Sequence, residues 1–177
     1  PSLFDLNPDK HLCVIVDLNI YETNFYLLNL RNEILKKTTV ATDINAENIV
    51  DIIKTETKNC IADYSVWAVG ISSPGLLSID KGLNYTYPHH NQESLSLGGI
   101  LQRYLGIPTF ITHDTQASML GEHHFGLAKN KENVLLINLD WGIGLGIMCN
   151  GQIIKGADGF AGELGHIQIK PDGALCH

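Results

Sequence analysis

Apolar and β-branched residues fill positions 12–18 (LCVIVDL), which predicts a buried strand. A second strand is expected at 23–30 (TNFYLLNL) and a third at 33–41 (EILKKTTVA), with Arg31-Asn32 as the turn and the lysines facing water. The chain thus opens on a three-stranded meander. The period then changes: Ala46, Ile49, Val50, Ile53 and Cys60 recur at helical spacing, with Asn45 as the N-cap. Residues 66–71 (VWAVGI) make a short buried strand that ends in the turn Ser72-Ser73-Pro74-Gly75. Residues 76–93 are polar and unpatterned and read as a long excursion, with His89 and His90 as solvated loop residues. Leu97, Ile100, Leu101, Tyr104 and Leu105 mark a second helix, stopped by a left-handed Gly106 and by Pro108. A strand at 109–112 (TFIT) precedes a third helix over about 114–126, whose apolar face is assigned to Ala117, Leu120, His124 and Phe125.

The order βββαβαβα, with helices between parallel strands, predicts an α/β fold. The pattern then restarts. Residues 133–140 (NVLLINLD) and 143–149 (IGLGIMC) are expected to pair, and Asn150-Gly151 turns the chain into QIIK. Residues 134–156 therefore repeat the layout of 13–37 after about 120 residues, a duplicated lobe and not a short solenoid repeat. The expected organisation is a first lobe over 1–127 and the beginning of a second lobe over 128–177, cut before its helices arrive.

Composition narrows the function classes. Hydrophobic residues make up 44% and charged residues 18% of 177, enough apolar material for a core. Net charge is −7, which disfavours a nucleic-acid face on this chain, because phosphate binding needs clustered Lys and Arg. No apolar run reaches a membrane span, and the first ten residues lack the basic start and apolar stretch of a signal peptide. Cys13, Cys60, Cys149 and Cys176 stand far apart, three of them in apolar stretches, so buried thiols in a reducing, cytoplasmic setting are expected.

Several residues carry candidate chemistry. Gly142, Gly144 and Gly146 in DWGIGLG would let backbone N–H groups approach a phosphate, or would simply allow close strand packing; the spacing does not choose. Asp114, at a strand-to-helix switch, suits a general base, although a helix cap is the commoner use of that position. Glu163 and His166 in GFAGELGH could hydrogen-bond adjacent hydroxyls of a polyol. His166 and Cys176, with His177 as a possible third, have soft-metal ligand chemistry, but two or three ligands fall short of structural zinc.

Together SSPG (72–75), THDTQASMLGE (112–122), LDWGIGLGI (139–147) and AGELGH (161–166) resemble the ROK family (repressors, open reading frames, sugar kinases) over essentially the whole chain. The resemblance implies an actin-like, ribonuclease H-like sugar kinase superfamily fold. It implies that Pro74 and Gly75 form a sugar-contacting loop and that Asp114 is the catalytic base of kinase members. Glu163 and His166 would be sugar-hydroxyl ligands, and Asp17, Gly142, Gly144 and Gly146 would face ATP and magnesium in a kinase. His166 and Cys176 would be the first two ligands of a structural zinc whose remaining cysteines lie beyond His177.

Two departures shape the expectation. Kinase members carry Asp-x-Gly-Gly-Thr after the first strand, where this chain has Asp17-Leu18-Asn19-Ile20-Tyr21. Bulky Ile20 and Tyr21 would crowd a phosphate. His113 stands where the family usually has Asn, which alters one hydroxyl contact. The expectation is a sugar-sensing effector domain of a ROK-type transcriptional repressor, binding a monosaccharide or sugar phosphate against Gly75, His113, Asp114, Glu163 and His166. DNA would be contacted through a missing N-terminal helix-turn-helix domain, and a homo-oligomer without membrane attachment is expected at full length. The alternative is an ATP-dependent sugar kinase.

Overall fold

The structure, a computed structural model, describes residues 7–78, 80–92, 95–171 and 173. Three strands, β1 (Leu12–Leu18), β2 (Glu22–Leu28) and β3 (Ile34–Ala41), form the opening meander. Helix α1 (Ile49–Ile61) leads to β4 (Val66–Ser73), and a small hairpin of β5 (Leu77–Ser78) and β6 (Leu83–Asn84) follows. After a single 3-10 turn, α2 (Leu97–Leu105), β7 (Thr109–His113) and α3 (Asp114–Phe125) complete the first unit. The second meander is β8 (Val134–Leu139), β9 (Ile143–Cys149) and β10 (Gln152–Ile153).

The first sheet has the order β3-β2-β1-β4-β7, antiparallel across β1, β2 and β3 and parallel from β1 through β4 to β7. Strand alternation sets its inner face. Leu12, Val14, Val16 and Leu18 of β1, Phe25 and Leu27 of β2, and Val69 and Ile71 of β4 are buried. They join Ile49, Val50, Ile53 and Cys60 of α1 and Leu97, Ile100 and Leu101 of α2 in one core. Helix α2 starts where Ser96 Oγ accepts the Gly99 N–H and ends at Gly106 with φ 69°, both from local sequence chemistry. The second sheet, β10-β9-β8, packs on α3. No described helix is long and apolar enough to cross a membrane.

Several expectations change. Helix α1 begins at Ile49 behind Asn48; Asn45 instead sits in a turn, its N–H held by Asp43 Oδ1 at 2.8 Å. Helix α3 buries Thr115, Gln116 and Met119, while Leu120, His124 and Phe125 are exposed. The reason is its neighbour: β9 presents glycines to α3, so small and polar side chains fit the contact. Of the thiols, only Cys60 is buried among the described residues; Cys13 is half-buried and Cys149 exposed. Cys176 lies outside the described residues.

Within the 76–93 excursion the described residues include a short hairpin and a 3-10 turn, and His90 is 1% exposed, not solvated. His89 Nε2 and His90 Nε2 both reach the Ile44 carbonyl, at 2.8 and 3.0 Å. The Ile44 N–H in turn donates to the Ile20 carbonyl at 3.0 Å, so the excursion is tied to the β1–β2 turn.

Candidate functional site

The carboxyl end of β4, the start of α3 and the β8–β9 turn converge on a cleft of about 300 Å³. That volume lies in the range of small-molecule sites, and a crevice at strand carboxyl ends is a common place for one. Pro74, Gly75, His113, Asp114, Glu163 and His166 all line it, from three separate stretches of sequence. Gly142 and Gly144 line it as well.

Asp17 and Gly146 are not among the lining residues. Alternation along β1 puts Val16 and Leu18 in the core and Asp17 on the opposite sheet face, in register with Asn24 and Ser72. There its Oδ2 takes the Asn19 amide at 3.4 Å. Gly146 packs on α3, where an added Cβ would stand 3.0 Å from Met119 Cε. A Cβ on Gly144 would collide with Thr115 Oγ1. Gly144 and Gly146 thus let β9 lie close against α3, and Gly144 faces the cleft as well.

His113 and Asp114 form the densest polar contact in the cleft. The Nδ1 of His113 is 2.9 Å from Asp114 Oδ1. The same oxygen accepts the Thr115 N–H and the Thr115 hydroxyl, the latter at 3.1 Å. Asn138 of β8 donates its amide to that hydroxyl at 3.5 Å, which ties the second sheet to the start of α3. Burial works to raise the Asp114 pKa, but the hydrogen bond and charge of His113 and the two Thr115 donors outweigh it and hold the carboxyl below its usual value. For His113, burial opposes the charged ring, yet Asp114, the Glu163 charge and a hydrogen bond to the Gly75 backbone raise its pKa overall.

Glu163 is a third exposed and stands 3.7 Å from a His166 ring that is 77% exposed. Gly162 beside it has φ +95°, and its carbonyl accepts the Leu145 N–H at 2.9 Å. Any side chain there would strike the Leu145 carbonyl, so glycine is what lets this loop lie on β9 and aim Glu163 at the cleft. Cys176 and His177 fall outside the described residues. His166 is therefore the sole member of the expected zinc set with described geometry, and among the described residues no three His, Cys, Asp or Glu side chains converge as a metal cluster.

Sequence reasoning missed three residues here. Asn84 Nδ2 donates to Ser73 Oγ at 3.2 Å and to the Pro74 carbonyl at 2.8 Å, while its Oδ1 accepts the N–H groups of Thr86 and Tyr87. It shapes the Pro74-Gly75 wall, and no periodicity announced it. Tyr87 lines the cleft, its hydroxyl pKa raised by burial and then by the Asp114 charge. Trp141 meets the Tyr21 ring edge-on, with centroids 5.5 Å apart, so the two hairpin turns touch across the mouth. The Asp-Trp-Gly triplet was the available signal, read only for its glycine.

The ROK family model matches residues 13–177. The xylose repressor of Bacillus subtilis is 34% identical over 113 residues, which are 64% of this chain and 29% of the repressor. Among solved structures, a ROK family transcriptional regulator described as a homologue of the Escherichia coli MLC protein superposes with TM-score 0.81 and 29% identity, over 97% of this chain and 45% of that one. A ROK family glucokinase from Streptomyces griseus, solved with glucose and AMPPNP, gives TM-score 0.81 and 30% identity over 93% of this chain and 53% of the kinase. The chain thus spans under a third of the xylose repressor and about half of either solved neighbour. A mixed sheet, a second meander facing it and a family match over nearly the whole length agree: this chain belongs to the ROK family, on the fold shared by its regulators and kinases.

Proposed function

We propose that this part of the protein senses a small sugar for a transcription regulator and does not phosphorylate it. The observation that carries the reading is the contact of Tyr21 with Trp141. A nucleotide triphosphate held between the two meanders would need backbone N–H groups free at both hairpin turns. Here the first turn carries Asn19 and Ile20 in place of the glycines and Tyr21 in place of the threonine, and that tyrosine rests on the tryptophan of the second. Asp114 supports the same reading. A carboxylate held by His113 and Thr115, with its pKa lowered, stays ionised to accept a ligand hydroxyl and is a weaker proton abstractor.

The working arrangement follows from the cleft. A polyhydroxy ligand lies between the Gly75 wall and the Asp114 and Glu163 carboxylates, which accept its hydroxyls. Because the carboxylates and the Gly75 loop belong to separate elements, a ligand that fits one arrangement better shifts the population toward it. That differential affinity is what would reach a DNA-contacting domain elsewhere in the protein. Zinc, held through His166 and Cys176 with further ligands, belongs to the same reading and would brace the loop that carries Glu163. The kinase reading keeps its own support: the glucokinase of Streptomyces coelicolor is 30% identical over 93% of this chain, and the Streptomyces griseus glucokinase superposes as well as the regulator does.

The test uses the intact protein with ATP, magnesium and D-xylose, N-acetylglucosamine or D-glucose. Calorimetry is expected to detect binding of at least one sugar, and a coupled assay no phosphorylation. Asp114→Asn is expected to weaken that binding roughly 10- to 100-fold, the worth of a charge-assisted hydrogen bond of about 1.5–3 kcal/mol. Steady sugar-dependent ATP turnover overturns the sensor reading.

A further inference from the structure

His113 has two sets of partners that it cannot serve at once. Its Nδ1 lies 2.9 Å from Asp114 Oδ1 and 3.2 Å from the Thr115 N–H. With that nitrogen bare, the ring accepts the Thr115 N–H and caps α3. With it protonated, the ring donates to Asp114, and Thr115 loses nothing, because its N–H also reaches Asp114 Oδ1. The Gly75 backbone on the opposite wall also favours the charged ring. The Thr115 N–H has an acceptor in both states. What differs is whether the Asp114 carboxylate has a cation against it.

That difference reaches the ligand. The cleft holds Asp114, Asp140 and Glu163, and no lysine or arginine is among its described lining residues. A neutral polyol settling over Asp114 and Glu163 removes water from two carboxylates, which is costly unless a positive group compensates. We propose that His113 is a positioning residue that supplies this charge, so that affinity for a neutral sugar falls as pH rises through the titration of its ring. The proposal rests on the sugar-site reading above. The titratable groups that face or surround His113 are Asp114 on its own helix, Glu163 with His166 behind it, Asp140 at the β8–β9 turn and Tyr87 from the excursion. The carboxylates favour the charged ring, and burial and the positive end of α3 oppose it. The balance lies above the ordinary histidine value of 6.5.

The experiment titrates the intact protein with D-xylose, N-acetylglucosamine and D-glucose between about pH 6 and 8.5, in buffers of different ionisation enthalpy, alongside His113→Asn. Asparagine retains a helix cap but no charge. For the wild type, binding is expected to weaken by up to roughly tenfold per pH unit above the ring's pKa, with proton uptake on binding. For His113→Asn, affinity is expected to be weaker at pH 6, flat with pH and free of proton uptake. Ring resonances of the ligand-free protein are expected to show His113 titrating above 6.5 and shifting down in Asp114→Asn. A pH-independent wild-type affinity, a slope retained in His113→Asn, or a ring titrating at or below 6.5 overturns the proposal. If none of the three sugars binds at any pH, the sugar-site reading falls and takes the proposal with it; the ring titration separates that failure from failure of the His113–Asp114 pair.

Discussion

Asn84 is 2% exposed and uses its whole side-chain amide on the loop that walls the cleft. Alanine there removes the partner of the Pro74 carbonyl and of two backbone N–H groups that are part-buried at the cleft wall. Each lost hydrogen bond that leaves a buried partner costs about 1–3 kcal/mol. Asn84→Ala is therefore expected to lower unfolding free energy by roughly 2–4 kcal/mol in denaturant titration and to weaken sugar binding as well. Gly162 is the second residue whose identity is fixed by its surroundings. Its positive φ and its contact with the Leu145 carbonyl exclude a side chain, so Gly162→Ala must shift the loop or the strand. A cost of about 1–3 kcal/mol is expected, with loss of the Glu163 contribution to binding, read by the same calorimetry on the intact protein.

At the level of elements, what the sequence displayed and what it hid follow from the kind of interaction involved. The strand at 12–18 and the helix ending at Gly106 were legible because alternation, helical period and a left-handed stop are local signals. The layout of residues 84–90 was not, because it is held by the Asn84 amide and by one carbonyl, that of Ile44, shared by two imidazoles. Such bonds leave no period behind. The face of α3 was misread for a related reason: an apolar stripe was sought, whereas Gly144 and Gly146 admit Thr115 and Met119 closely. In the cleft, Asp114, Glu163 and His166 stood out by their chemistry and Pro74, Gly75 and His113 through family motifs, while Tyr87 lies in the unpatterned excursion and Trp141 was passed over for the glycine beside it. The α3–β9 contact yields an element-scale prediction. Gly144→Ala drives a methyl into Thr115, whose hydroxyl also holds Asp114. It is expected to destabilise the protein by about 1–3 kcal/mol and to weaken sugar binding without touching the ligand.

Over the whole molecule, three titrating groups pull stability in defined directions. His90 is buried beside Tyr87 and its pKa is lowered, first by burial, against the pull of the Ile44 carbonyl. A lowered folded pKa means that its contribution is fully present above 6.5 and is lost as pH falls from there through the folded value. His113, with a raised pKa, contributes fully below 6.5 and loses that contribution as pH climbs through its own folded value. Asp114, with a lowered pKa, adds stability that is present above 3.8 and is lost in acid. Thermal unfolding of the intact protein is thus expected to be most resistant near neutrality, with an acid-side decline beginning near 6.5. His90→Gln is expected to flatten the early part of that decline, and His113→Asn the alkaline one, as read from slopes of midpoint against pH.

The chain has two tryptophans, and the fold sends them to opposite ends of the first sheet. Trp67 stacks on His11 at the amino-terminal ends of β1 and β4, with ring centroids 3.5 Å apart. Trp141 stands at the cleft mouth against Tyr21. A Trp67→Phe variant would leave a single indole emitter at the mouth of the cleft. Its emission maximum and quenching by iodide would then report directly on the Tyr21–Trp141 contact, without dye or label.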